Sequence, residues 1–190
     1  MSTLILEPTA QALWHRVVRE ASGAAGRTLD DTLEAYLLML LLRFAHRPEI
    51  LRTIMAREYL EGMQQTGRAR DERLRDVGDQ CLILAGLFPG LARRRRVSPA
   101  YFIDLGRGAY GELASRLARS AAELYRELAT AFVALMDVLH ALRGNQALEM
   151  LSPLERWELW ERSGSRAARD ALLGEDDAAL PALIAASGVH

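Results

Sequence analysis

The sequence predicts an all-α protein: a single bundle-like domain of six or seven helices, followed by a short C-terminal tail. Two observations carry the prediction. Apolar residues recur every three or four positions along nearly the whole chain, the period of an α-helix, and no stretch sustains the period-two alternation of a half-buried strand. Helix-start signals also punctuate the pattern, with Ser-Pro pairs at 98–99 and 152–153 and glycines near the ends of the stripes.

The elements follow in order. Pro8 and Thr9 precede a first stripe of Ala10, Leu13, Trp14, Val17, Val18 and Ala21, which Gly23 and Gly26 should end. Thr28 is the expected cap of the next helix, with Asp30 and Asp31 in the first turn, where the helix dipole favours acidic groups. That helix, about Leu29 to His46, is apolar almost all round and is expected to be the central element. Pro48 can open a third helix with Ile50, Leu51, Ile54, Met55, Tyr59 and Met63 inside and Gly67 as its stop. A fourth carries Leu74, Val77, Gly78, Cys81, Leu84, Ala85 and Phe88 and breaks at Pro89. Gly90 to Val97 is a basic connector. Beyond it, Phe102, Leu105, Ala109, Tyr110, Leu113 and Leu117 mark a fifth helix, and Leu124 to Leu142 a long sixth ending at Gly144. Ser152, Pro153 and Glu155 open the seventh, with Leu154, Trp157 and Trp160 on one side. The helical domain is assigned to 1–173 and an acidic, then apolar, tail to 174–190. A split near Gly90 to Val97 would leave neither half with a complete core.

Composition narrows the function classes. The 190 residues are half hydrophobic, enough for one sizeable core, and too apolar for a disordered chain. Cys81 is the only cysteine, which excludes an internal disulfide and any multi-thiolate metal centre. All 24 basic residues are arginine. Without lysine there is no side-chain amine for a Schiff base, no phosphate-loop lysine and no kinase strand lysine. The longest apolar run, Tyr36 to Leu42, is far shorter than the roughly 20 residues of a membrane span. The N-terminus has no basic residue before an apolar stretch, so no secretory signal is expected and a cytoplasmic location is.

Each chemical motif has a structural competitor. Gly106, Gly108 and Gly111 satisfy G-x-G-x-x-G, the dinucleotide fingerprint, but the helical pattern of 129–142 stands where a second strand should follow. The glycines are therefore expected to let helices approach closely. Arg93, Arg94, Arg95 and Arg96 form the densest charge cluster; residues 65–96 carry eight arginines against four acids, and 145–190 four against eight. The cluster could be a solvated loop, meet the acidic C-terminal segment of this chain or a second copy, or bind an anion. A sequence pI near 6.4 argues against a nucleic-acid role. His15, Asp137 and His140 are the candidate metal or heme ligands. His15 stands on the first helix, and in that placement the chain is similar to helical heme-degrading enzymes; Asp137 and His140 form a D-x-x-H on one helix face. A di-iron bundle needs two such pairs and two more carboxylates, so no cofactor is assigned. Arg43 interrupts the most apolar helix, so it either snorkels to the rim or pairs with a carboxylate such as Asp104 or Asp79. A polar pocket is accordingly expected around Arg43, Asp104, Tyr101 and Tyr110. Leu154, Trp157 and Trp160 form an aromatic edge that could cap the core or meet a partner. No catalytic residue is assigned. The leading expectation is a protein that works by binding a protein partner or itself, as an adaptor or regulator, with a heme- or metal-binding bundle and a nucleic-acid regulator as alternatives.

Overall fold

The computed structural model describes residues 10–46, 55–144 and 146–174. Helices account for most of them: α1 (Ala10–Ala24), α2 (Asp31–His46), α3 (Met55–Gln64), α4 (Gly67–Leu87), α5 (Leu91–Arg94), α6 (Pro99–Arg116), α7 (Arg119–Leu142), α8 (Gln146–Glu149), α9 (Pro153–Ser163) and α10 (Arg166–Leu173). The all-α class is thus observed, and the described residues contain no strand. Seven of the long helices match the expected ones; α10, with α5 and α8 of one turn each, is additional. Eight residues are too few for a stripe to show in the sequence. The proposed caps at Thr9 and Pro48, and the tail beyond Gly174, lie outside the described residues. No helix among the described residues is long and apolar enough to cross a membrane.

The expected order of burial is corrected by the structure. The centre is α4, not α2: every residue from Val77 to Leu87 is buried, and α3, α6 and α7 pack around it. The reason is size as much as polarity. Gly78, Cys81, Ala85 and Gly86 let neighbours close in; a Cβ on Gly86 would lie 2.5 Å from Leu139, and one on Gly78 would meet the Tyr110 ring. By contrast α2 buries Leu33, Leu37, Leu38, Leu40 and Leu41 against α1 and α7 and leaves Met39 61% exposed. Phe102, Phe132, Leu82, Leu84 and Leu128 are fully enclosed, each stabilising by about 1.5–3 kcal/mol relative to exposure.

The helix ends show which local signals decide. Asp30, not Thr28, caps α2: its Oδ1 accepts the Leu33 N–H at 2.8 Å. The expected box opens α9, where the Ser152 hydroxyl accepts from the Glu155 N–H and the Glu155 carboxylate from the Ser152 N–H. Gly67 does not end α3 but begins α4, with φ +61°, so the chain turns there within three residues of Gln64.

The glycine triplet has the structural role expected of it at one position only. Gly106 faces inward, where a Cβ would come within 2.5 Å of the Phe132 ring and 2.8 Å of the Cys81 Cβ. Gly108 and Gly111 point outward with nothing nearer than 3.9 Å.

Candidate functional site

Asp79 is a carboxylate inside the core helix, 3% exposed, and two other helices supply its partners. Tyr36 on α2 and Tyr110 on α6 each donate a phenol O–H to its Oδ1 at 2.6 Å. Arg43 on α2 donates to Oδ2 and, at 3.4 Å, to Asp76. Tyr36 and Arg43 are seven residues apart, two helical turns, and so reach the same carboxylate from one face. Tyr125 on α7 completes a ring cluster, its centroid 6.3 Å from Tyr36 and 5.9 Å from Tyr110. Gly78 makes room for this cluster by admitting the Tyr110 ring.

The electrostatics follow from burial. Desolvation pushes the Asp79 carboxyl above its usual range, while the Arg43 guanidinium and the two phenols pull it back. Burial and the neighbouring carboxylate hold Tyr36 and Tyr110 well above the ordinary phenol value, so both keep their protons and act as donors. A buried carboxylate that accepts from three donors is compensated; one that loses a donor is not.

Over this network lies an open groove of about 580 Å³. Tyr36, Arg43, Arg75 and Tyr125 give it polar walls, and Met39, Leu40 and Leu42 an apolar one. The Nε of Arg75 is buried and has no hydrogen-bond partner among the described residues. Its Nη2 lies 3.5 Å from Asp76, which it shares with Arg43. The arrangement is equipped for recognition: fixed donors beside an apolar surface, within the size range of small-molecule sites. Cys81 is fully enclosed, and burial pushes its thiol up, away from the reactive thiolate.

Of the four residues expected to share a polar pocket, the structure brings two together. Arg43 and Tyr110 meet, through Asp79. Asp104 and Tyr101 do not join them, which corrects the expectation. Asp104 pairs with Arg162 at 3.1 Å on the surface, and Tyr101 stacks against Phe102. Helix phase explains it: nine residues carry Tyr101 about 180° around α6 from Tyr110, and six carry Asp104 roughly 240° away. Sequence reasoning missed Tyr36, Tyr125 and Arg75. The available signal was Tyr36 one heptad before Arg43 on an otherwise apolar helix.

No protein-family model, no curated protein and no solved structure matches this chain.

The remaining candidates are dispersed. No group of three or more His, Cys, Asp or Glu able to hold a metal occurs among the described residues. His15 lines a separate cleft with Arg16, Arg19 and Glu20. Asp137, wholly enclosed, is engaged four times over. It accepts from Arg27 Nε at 3.0 Å and from Arg27 Nη2, from the Ser165 hydroxyl at 2.6 Å and from the Arg166 N–H at 3.0 Å. Ser165 in turn caps α10, so the carboxylate tethers the α1–α2 connector and α10 to α7. His140 is also fully buried; neither ring nitrogen makes a hydrogen bond of normal geometry among the described residues, and the Gly86 backbone is the polar group that approaches the ring. Desolvation lowers its pKa to about 4 despite the opposing pull of Asp137. The arginine run does not fan out as one patch: Arg94 and Arg96 are exposed, Arg95 is half-buried, and the Arg93 side chain lies outside the described ones. On α9, Trp160 packs against the core while Leu154 is 59% exposed.

Proposed function

We propose that the protein acts by binding a partner molecule in the α2–α4–α7 groove, through hydrogen bonds and apolar contact and without breaking a bond. The network under the groove is the observation that carries this reading. A buried ion pair with its hydroxyl partners contributes little net stability compared with well-packed apolar side chains, so packing alone does not call for Asp79, Arg43, Tyr36 and Tyr110. What the network does provide is fixed geometry: it locks the rotamers of Tyr36 and Arg43 at the floor of an open site, and pre-organised donors lose less entropy on binding. The groups present favour recognition over catalysis, since the phenols are held protonated and the carboxylate is saturated with donors.

The test is a fragment screen on the full chain, read through the side-chain resonances of Tyr36 and Tyr125. Binding fragments should move both rings, and Met39→Arg, a change at an exposed wall residue, should remove the response without lowering the melting temperature. A chemically diverse fragment set that leaves both rings unmoved refutes the reading.

A further inference from the structure

We infer that the groove takes an organic carboxylate with an apolar body, the carboxylate at Arg75 and Tyr125 and the body over Met39, Leu40 and Leu42. This rests on the groove being a recognition site, and it follows from counting which hydrogen-bonding valences are already used. Among the described residues, Asp79 is the one carboxylate lining the groove, and Tyr36, Tyr110 and Arg43 occupy both of its oxygens. It has little left to offer an incoming donor.

The unspent groups are donors. Arg75, its side chain 39% exposed, presents the outer end of its guanidinium, whose contact to Asp76 is 3.5 Å long and shared with Arg43. The Tyr125 phenol also lines the groove, its oxygen facing the Tyr36 hydroxyl; burial raises its pKa, so it keeps a proton to donate. A guanidinium edge beside a phenol matches an acceptor that is planar, two-oxygen and negatively charged. Cationic ligands meet the charges of Arg43 and Arg75. Neutral ones forgo the charge-assisted pairing with Arg75.

The opposite wall sets the rest of the ligand. Met39 is 61% exposed although it belongs to the most apolar helix, and Leu40 and Leu42 flank it along the groove. A methionine wall adapts to aliphatic or aromatic shapes. A volume of about 580 Å³ accommodates a small free acid or the last residues of a peptide. Both present the same chemistry, a carboxylate one short apolar reach from hydrocarbon.

The experiment titrates the full chain at pH 7.5 with octanoate, octylamine and 1-octanol, in buffer free of other carboxylates. Resonances of the Tyr36 and Tyr125 rings provide the readout. Octanoate should saturate both, with the amine and the alcohol at least about tenfold weaker, as a charge-assisted pairing with arginine implies. Arg75→Gln should bring octanoate down to the alcohol's affinity. Tyr125→Phe, which keeps the ring contacts, should weaken octanoate about threefold or more. Thermal melts of both variants within a few degrees of the parent exclude misfolding. The peptide acetyl-Gly-Ala-Leu, with a free and with an amidated terminus, separates the two sources: tighter binding of the free-terminus peptide than of octanoate identifies a chain terminus, and the reverse order a free acid. If octylamine or octanol binds as tightly as octanoate, the carboxylate assignment is overturned while the recognition site stands. If no probe moves either ring, the site and the assignment both fall.

Discussion

His140 offers the most quantitative prediction. The ring is completely enclosed in α7, its nitrogens making no hydrogen bond of normal geometry among the described residues although the Gly86 backbone approaches it, and burial lowers its pKa from 6.5 to about 4. Above pH 6.5 the ring is neutral whether the chain is folded or not, and it does not affect the pH dependence of stability. As pH falls below 6.5 the unfolded chain takes up a proton that the folded chain refuses until about pH 4. Stability therefore drops with acidification across that window. Between neutral pH and pH 5 the loss comes to about 2 kcal/mol from this one group, approaching about 3 kcal/mol near pH 4. Asp79 works in the opposite sense, since burial raises its pKa, so acid relieves rather than costs stability there. Comparing parent and variant cancels that contribution. His140→Leu keeps a similar volume and removes two buried polar atoms. It should raise stability at pH 7.5 by about 1 kcal/mol or more, and the gap to the parent should widen by about 2 kcal/mol at pH 5. Urea unfolding at the two pH values, followed by circular dichroism and tryptophan fluorescence, measures both. Parallel pH dependences in parent and variant would refute the reasoning.

Four further substitutions probe the packing and the Asp79 and Asp137 carboxylates. Gly106→Ala should destabilise by about 1–2 kcal/mol despite its better helix propensity, because the new methyl collides with Phe132 and Cys81, whereas Gly111→Ala should stabilise by roughly 0.5–1 kcal/mol. Opposite signs within one six-residue motif in thermal melts are the expected result. Asp137→Asn should cost about 3 kcal/mol, a melting-temperature fall of roughly 6–12 °C, since it strands the mostly buried Arg27 guanidinium. Tyr110→Phe removes one of the three Asp79 donors and should cost about 1–2 kcal/mol at neutral pH, with the deficit shrinking in acid as Asp79 protonates; a pH-independent deficit would count against the assigned bond.

What the sequence revealed and what it concealed have identifiable causes. Helices such as α6 and α7 were legible because their apolar residues repeat over five turns or more, and α9 because Ser152 and Glu155 form a reciprocal cap that needs no tertiary information. The rank of α2 was misread: apolar count registers how greasy a helix is, whereas centrality depended on Gly78, Cys81 and Gly86 letting neighbours in. Part of the polar cluster was legible because an arginine within an apolar helix either reaches the rim or finds a carboxylate, and Asp79 was one of the two named for it. Tyr36 and Tyr125 were hidden, since a tyrosine at helical spacing reads as packing until a buried acceptor is known to face it. Asp104 misled because its apolar neighbours in sequence are not its neighbours around α6.

The Asp137 tether has a consequence for biosynthesis. Its two ends lie 110 residues apart along the chain at Arg27, and Arg166 closes a still wider span of 140 to the Gly26 carbonyl. A ribosome delivers Arg27 long before Ser165, so for most of translation the link between the first two helices waits for a clasp that has not been made. The Arg27 pairing becomes available once α7 is made, but the full set of four bonds to Asp137 waits for α10, the last of the described helices in the chain.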